Sequence, residues 1–583
     1  MPIAEITGRR IDVDVPLRHE PRIRTIPGVR WHDGSKRWRL PLSWATCKQL
    51  RTAFGDLLQA GPLLTAWARD EYEDRVEPAM DARILALDPA ADAYGEPRLY
   101  PYQRTGAAFL AAAESAILAD EMGTGKTVQT LAALWRKGAL PALIVCPTSM
   151  THTWRRAAAE WLPGATTVVI EGPPKRRYQQ FEAAQGASLV IVSWDLLRRH
   201  SRLAPYGSIK LTDAEKTPGR LNGLPFKAVV ADEAHRAKDP KAKQTRALWA
   251  VGDKAEHRYA LTGTPIADSP DDLWALLRFV APNEWPSRTA FIDRYCLTSA
   301  SYIGGQEVLD VTGLKPETEQ EFREILEPRF LRRPKALVLP HLPPKVHVRR
   351  DIEMNPFQAI AYRAMAKEML AAVNGGDLTA FSPLTQFARL GQLASAYAEI
   401  DDEGQVRLTE PSPKLHELEA ILTELGEEPC VVFASSRQLL DLAAARLDKA
   451  AIPYAQIVGG LTAEQRTAAV DEYNQGRARV ILISLGAGAE GVSLTRGQTE
   501  VFLDRSWSQI QNAQAEDRLH GTGRGEAGSA RLLIIDLITA ETIEAYRADV
   551  LATKTARLEE VVQDRTVVLA ALNHGTTRRK AFE

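Results

Sequence analysis

The sequence predicts an α/β chain built on parallel β-sheets, and three observations carry that prediction. Apolar runs of strand length, Ala142-Leu-Ile-Val-Cys146, Leu189-Val-Ile-Val192 and Ala228-Val-Val-Ala231, alternate with helical stretches. This is the pattern of strands buried on both faces beneath connecting helices. A run from Ser115 to Ala119 ends in a glycine-containing turn, and a helix-like pattern from Thr127 to Trp135 follows, giving the order strand, phosphate loop, helix. Further on, the apolar start of Val229-Val-Ala-Asp-Glu-Ala-His235 runs into two carboxylates. Polar clusters at the C-terminal ends of such strands are where open α/β sheets bind ligands.

The first site is Asp120-Glu-Met-Gly-Thr-Gly-Lys-Thr127. Gly123 and Gly125 let backbone N–H groups approach phosphate oxygens, with Met122 and Thr124 in the same cradle. Lys126 places a point charge on the β- and γ-phosphates, and the Thr127 hydroxyl coordinates Mg²⁺. The expected ligands are a nucleoside triphosphate and Mg²⁺. The strict loop pattern has glycine where this chain has Asp120. Asp232 is expected in the Mg²⁺ shell beside Thr127, and Glu233 is expected to orient and deprotonate the attacking water. Taken singly, a glycine-rich turn or a pair of acids capping a helix would read the same way.

At 583 residues the chain has room for about three to four domains. Its composition, 45% hydrophobic and 25% charged, is that of a globular protein, and its net charge of −1 means that any nucleic-acid surface must be a local basic face. Four widely separated cysteines at no metal-ligand spacing argue against a disulfide framework and a zinc ribbon. No apolar run approaches the roughly 18 residues of a membrane span, and the N-terminus has no apolar signal core. An intracellular protein with no membrane partner is expected, in a bacterial or viral setting, or nuclear if eukaryotic. The basic tail Thr577-Arg-Arg-Lys580 is too short for a nuclear signal.

Residues 1–53 carry eleven Lys and Arg against five acids. Within them, Ile26-Pro-Gly-Val-Arg-Trp31, a turn at His32-Asp-Gly-Ser35 and Lys36-Arg-Trp-Arg-Leu-Pro41 read as a hairpin. Its Arg30, Trp31, Arg37, Trp38 and Arg39 interleave cations with aromatics, which suits a phosphate backbone and an unstacked base. The alternative is a small β module with inward tryptophans and solvated arginines. From Gln49 to Ala91 the pattern is helical and amphipathic, and 88–97 reads as a linker.

Further blocks occur in order: Leu99-Tyr-Pro-Tyr-Gln-Arg-Thr-Gly106, Cys146-Pro-Thr148 with Trp154, Val192-Ser-Trp194, Leu261-Thr-Gly-Thr-Pro-Ile266 and Phe330-Leu-Arg-Arg333 with Leu342-Pro-Pro-Lys345. Ser412-Pro-Lys-Leu415, Val431-Val-Phe-Ala-Ser435, Gly486 to Thr495 and Gln514-Ala-Glu-Asp-Arg518 follow. Together with the phosphate loop and Asp232-Glu-Ala-His235, they resemble the Snf2 family of superfamily 2 helicase-like ATPases, over roughly Leu99 to Val562. The resemblance implies two tandem RecA-like parallel-sheet lobes with helical insertions, behind a small basic β-containing N-terminal module. It implies ATP between the lobes and a duplex or branched DNA partner gripped by its backbone. Gln103 would read the adenine edge. Thr148, Ser193, Ser435 and Gly486 would lie on or near the DNA. Thr262 and Thr264, with Gln514, would couple the γ-phosphate to lobe closure, and Gly491, Arg518 and Arg524 would face the nucleotide. The implied domains are 1–55, a basic module; 56–97, helix and linker; 98–281, lobe one; 282–411, protrusions and linker; 412–562, lobe two; and 563–583, a tail.

The last block departs from the family. Where Snf2 proteins carry Gln-Ala-x-Asp-Arg-Ala-His-Arg-Ile-Gly-Gln, this chain has Gln514-Ala-Glu-Asp-Arg-Leu-His-Gly-Thr-Gly-Arg524, so the second arginine position is Gly521. A guanidinium there stabilises the transferring phosphoryl group. Arg518 alone, or Arg524, would have to serve. The expected activity is DNA-dependent ATP hydrolysis driving translocation. A nucleotide-gated DNA clamp with negligible hydrolysis and an RNA-unwinding helicase stand as alternatives. The N-terminal hairpin, with its spacing of Trp31, Lys36, Trp38 and Pro41, resembles the HARP module of annealing helicases.

Overall fold

Short β-branched and apolar runs at the N-terminus form strands rather than a lone hairpin. The structure, a computed structural model, describes residues 1–548 apart from 94, 266–269, 304–305, 341, 375–382, 401–405, 487–493, 495, 521–530 and 546. The strands β1 (Ile3–Thr7), β2 (Arg10–Asp14), β3 (Arg30–His32), β4 (Arg37–Pro41) and β5 (Gln59–Ala60) make one sheet in the order β3-β4-β2-β1-β5. The expected hairpin is its β3–β4 edge, with Trp31 opposite Trp38. Alternation sends Ile11, Val13, Trp38 and Leu40 into a core closed by the helix Trp44–Phe54, whose N-cap Ser43 accepts the Thr46 N–H. The helical stretch expected from Gln49 thus begins at Trp44. It breaks at Gly55, where φ is +56°, and resumes at Pro62–Glu71 and Glu77–Leu87.

A buried polar network fastens this module to the chain behind it. Arg294 donates two hydrogen bonds to Glu321, at 2.7 and 2.5 Å, and a third to Thr25 Oγ1 at 2.9 Å. Tyr295 Oη donates to Glu321 at 2.6 Å and accepts from Gln49 Nε2 at 2.9 Å.

The chain divides after Val338 into two units. In the first, β6 (Ser115–Leu118), β7 (Ala142–Cys146), β8 (Thr167–Ile170), β9 (Leu189–Ser193), β10 (Ala228–Asp232) and β11 (His257–Leu261) are parallel. A hairpin of β12 (Cys296–Ile303) and β13 (Gln306–Leu314) follows. The short β14 (Phe330–Leu331) then returns to the sheet, giving the order β14-β6-β11-β10-β7-β9-β8. Apolar clusters lie on both faces, as the continuous hydrophobic runs require. The polar stretch 203–226 belongs to this unit as well. Its Leu203, Leu221 and Phe226 enter the core, and Ala204 exchanges backbone and side-chain hydrogen bonds with Arg246.

The second unit also holds a parallel sheet. Its first strand, β15 (Lys345–Ile352), precedes a hairpin of β16 (Tyr397–Ile400) and β17 (Val406–Thr409). The strands β18 (Cys430–Ala434), β19 (Tyr454–Ile457), β20 (Val480–Ser484), β21 (Thr499–Phe502) and β22 (Leu532–Thr539) follow, and the order is β15-β22-β21-β18-β20-β19. One expectation changes here: the second sheet opens at Lys345 rather than near 412, and β22 closes it at Thr539. The Ser412-Pro-Lys-Leu415 block has a structural role: Ser412 caps the helix Pro413–Glu424, and the buried Lys414 pairs with the buried Glu544 at 2.6 Å.

Removing one partner of a buried ion pair strands the other charge. Arg294→Met is therefore expected to destabilise the protein by about 3–5 kcal/mol, and adding Glu321→Leu to recover much of that. Equilibrium urea denaturation checks both.

Candidate functional site

The phosphate loop is held in place from below. Backbone pairing carries past β6, with Ala119 N–H on the Leu331 carbonyl at 2.7 Å and Glu121 N–H on the Arg333 carbonyl at 3.3 Å. Asp120, which stands where the strict pattern has glycine, is fully buried and receives Arg333 in a two-pronged pair at 3.1 and 2.5 Å. The same guanidinium donates to the Tyr102 carbonyl at 2.7 Å and to Gln129 Oε1 at 2.8 Å. Asp120 is thus a fastening for the loop. Gly123 and Gly125 have φ of +77° and +76°, the left-handed region that glycine enters without strain. Gly125 caps the helix Lys126–Lys137, whose first-turn N–H groups have no partner within the helix and are suited to phosphate. Lys126 Nζ donates to the carbonyls of Asp120 and Glu121 at 2.8 and 3.1 Å. Gln103 is buried against the loop. Its Oε1 accepts the Tyr100 N–H, and its Nε2 donates to the Thr124 carbonyl at 3.2 Å.

The acid pair sits at the end of β10, on the same edge of the sheet. The Asp232 carboxylate accepts the Trp154 indole N–H at 2.8 Å and the Glu233 N–H at 3.0 Å, while Trp194 Nε1 donates to its carbonyl oxygen at 3.1 Å. Burial pushes the Asp232 carboxyl up to about 7, and the Glu233 carboxylate adds to this. The Trp154 hydrogen bond and the Lys126 charge pull the other way. Glu233 has a left-handed backbone at φ +48° and ψ +50°, which costs a non-glycine residue about 1–3 kcal/mol.

A relay of polar contacts joins Glu233 to the Thr262–Thr264 turn. His235 Nδ1 lies 3.3 Å from the Glu233 carboxylate and 3.4 Å from Thr262 Oγ1, which accepts the Thr264 N–H at 3.1 Å. The turn also abuts the phosphate loop, since a Cβ on Gly263 would lie 2.8 Å from Met122 Cγ. One edge of the first sheet therefore gathers Gln103, the 122–127 loop, Asp232, Glu233, Thr262 and Thr264. Arg333, Trp154, Trp194 and His235 act there too, without having been assigned roles from sequence. A charged residue in the glycine position of the loop was the available sign that a buried partner such as Arg333 existed.

The residues expected on nucleic acid are more scattered. Thr148, Ser435 and Gly486 are exposed. Ser193 is buried, and its Oγ accepts the Leu196 N–H as a helix N-cap. Trp38 is only 6% exposed in the module core, as the alternative of inward tryptophans has it, whereas Trp31 is 46% exposed. Arg30 and Arg37 are exposed, and Arg39 pairs with Asp12 at 2.9 Å. In the second unit, Gln514 is buried on the helix Gln509–Glu516, and the Arg518 carbonyl accepts the Leu494 N–H at 3.3 Å. Gly491, Gly521 and Arg524 lie outside the described residues.

A glycine-rich loop, an acid pair and the Thr262–Thr264 turn on one edge of a parallel sheet, with a second parallel sheet following in the chain, define a helicase-like P-loop protein. The SNF2-related domain model matches residues 102–394, half of the chain, and the helicase conserved C-terminal domain matches residues 413–523. The chain belongs to the Snf2 family. It is 27% identical over 502 residues to the ISWI chromatin-remodeling complex ATPase ISW1 of Saccharomyces cerevisiae, covering 81% of this chain and 41% of that protein. It is 26% identical over 444 residues to the DNA annealing helicase and endonuclease ZRANB3 of Bos taurus, covering 75% and 38%. The chain thus spans about two fifths of the length of these relatives. Among solved structures, the Sulfolobus solfataricus SWI2/SNF2 ATPase core in complex with dsDNA aligns at 21% identity and a TM-score of 0.36, over 81% of this chain and 94% of that one. Among the described residues no helix is long and apolar enough to cross a membrane.

A carboxyl raised to about 7 is largely neutral at pH 6 in the metal-free protein, so a cation must displace its proton. Affinity for Mg²⁺-nucleotide is expected to rise about fivefold between pH 6 and 7 and about twofold more by pH 8, to level off above that, and to lose this dependence in Asp232→Asn. Calorimetric titration in buffers of different ionisation heat checks the proton release.

Proposed function

We propose that the chain is an ATP-dependent DNA translocase of Snf2 type, acting on double-stranded or branched DNA in remodelling, fork processing or strand reannealing. The observation that carries this reading is the continuous site itself. The phosphate loop, the two acids and the Thr262–Thr264 turn are joined through His235 and the Met122–Gly263 contact. Such a connected edge can pass the state of a bound phosphate to the rest of the sheet.

Hard-oxygen donors at Thr127 and Asp232 suit Mg²⁺, and Lys126 lies close enough to Asp232 to lower its pKa. When bound, the ion would neutralise phosphate charge. Lys126 would exchange its two loop carbonyls for phosphate oxygens. Glu233, held at 3.3 Å from His235, would orient the attacking water and take its proton. The phosphoryl group also needs a cation from beyond this loop, and Arg518 and Arg524 are the candidates. Contacts to DNA would be mainly to the backbone, so sequence preference should be low and salt dependence steep. The names of the two relatives, a chromatin-remodeling ATPase and a DNA annealing helicase, support a DNA substrate. The basic N-terminal module would favour forks or reannealing.

Gly521 supports a second reading, a clamp that closes on ATP without turning it over. Steady-state ATP hydrolysis with no nucleic acid, duplex DNA, forked DNA and structured RNA separates the readings. Duplex or forked DNA is expected to stimulate hydrolysis at least tenfold, Lys126→Ala to abolish it, and Arg524→Ala to cut it by about 10³ if that residue serves as the finger. ATP binding with no acceleration by any DNA would select the clamp, and stimulation by RNA alone would select an RNA helicase.

A further inference from the structure

The strands of the first sheet run parallel, so the starts of β6 and β11 lie at the edge opposite the phosphate loop. At that edge the N-terminal module and the sheet enclose a cleft of about 1030 Å³. Eight arginines and three glutamates line it. Some of these cations are already matched: Arg39 holds Asp12 at 2.9 Å, and Arg329 holds Glu284 at 2.8 Å. Arg9, Arg10 and Arg30 are exposed and, among the described residues, make no ion pair or side-chain hydrogen bond. Glu256 is the exposed acid on the opposite wall.

The register sharpens the imbalance. Arg30 faces Arg39 directly across β3–β4, and Arg39 faces Asp12 across β4–β2, so a single carboxylate serves two guanidiniums in that row. Like charges directly opposite one another in a sheet are destabilising unless an anion lies between them. On the sheet side, burial lowers the pKa of Arg258; Asp253 offsets this in part, and Arg329 adds to it. Arg258 and Arg329 on this wall are offset by Glu256 and Glu284, so the excess of positive charge lies on the module wall. The cations are spread along the cleft over several elements rather than converging on one point, which suits a row of phosphates more than a single one.

We propose that this cleft binds the phosphodiester backbone of a nucleic-acid strand, at a place separate from the ATP loop. The inference rests on the reading of the chain as a DNA motor only for the identity of the polymer. Neither the charge nor the geometry depends on that reading.

The test uses the full chain, labelled forked and duplex DNA, no nucleotide and a series of salt concentrations. The variant is Arg9→Ala/Arg10→Ala/Arg30→Ala, with thermal unfolding as a check of folding and Arg30→Ala alone as a milder second variant. The triple variant is expected to bind roughly tenfold or more weakly, with a slope of log K against log salt shallower by about 2.7, and Arg30→Ala to account for about 0.9 of that. Unchanged affinity and slope in a folded triple variant would overturn the proposal. So would displacement of the DNA by inorganic phosphate or ATP at matched phosphate concentration, which would assign the cleft to a small anion. ATP hydrolysis is read on the same samples. No DNA-stimulated hydrolysis, with binding lost in the triple variant, sinks the motor and keeps the cleft. Stimulated hydrolysis with unchanged binding does the reverse.

Discussion

The candidate ATP site depends on one buried ion pair. Arg333 and Asp120 are both fully excluded from solvent, and a pair in that position is tolerable only if its remaining hydrogen-bonding capacity is used. Arg333 meets that condition with bonds to the carbonyls of Ala86 and Tyr102, to Thr105 Oγ1 and to Gln129 Oε1. One guanidinium thereby connects β14, the Gln103-bearing helix Pro101–Ala113, the phosphate loop and the helix that follows it. A loop that binds a polyanion through backbone N–H groups must be held in shape beforehand, because ordering it on binding would weaken affinity. The carboxylate in the glycine position provides that hold.

A second constraint acts at the end of β10. The strained backbone of Glu233 turns the chain sharply after Asp232, and two tryptophan N–H groups fix Asp232 itself. This turn brings Glu233 toward His235 and so toward Thr262. At the far edge of the same sheet, the Arg294–Glu321–Tyr295 network performs a comparable task, locking the N-terminal module so that its arginines face the base of the sheet. The nucleotide edge and the basic edge of the unit are thus each organised around buried polar groups that are well matched to their surroundings.

Much of the fold was legible because buried parallel strands are written as unbroken apolar runs, as in Ala142–Cys146. The strands that were missed break that rule for physical reasons. β14 is two residues long, and Lys345–Ile352 reads Lys-Val-His-Val-Arg-Arg-Asp-Ile because an edge strand is only half covered. Since β15 precedes the helices Pro356–Asn374 and Pro383–Ser395, the second sheet begins well before the block that seemed to open it. The phosphate loop and the acid pair were legible from their chemistry. The sequence could not separate the roles of Ser193, because a cap and a phosphate contact use the same hydroxyl, nor choose between the two faces for Trp38, because the five-stranded sheet behind the hairpin was not legible. Arg333 was quoted within a block but given no role, since nothing local to Phe330–Arg333 shows that its partner lies over two hundred residues earlier.

The most direct test of this account compares Asp120→Asn, Arg333→Met and the double variant Asp120→Leu/Arg333→Met, measuring thermal stability and Mg²⁺-nucleotide affinity together. Each single change is expected to destabilise the protein by about 3–5 kcal/mol and to weaken nucleotide binding. The apolar double variant is expected to regain most of the stability while binding nucleotide at least tenfold more weakly than the parent chain. A double variant that binds nucleotide as tightly as the parent would contradict the claim that this pair shapes the phosphate loop.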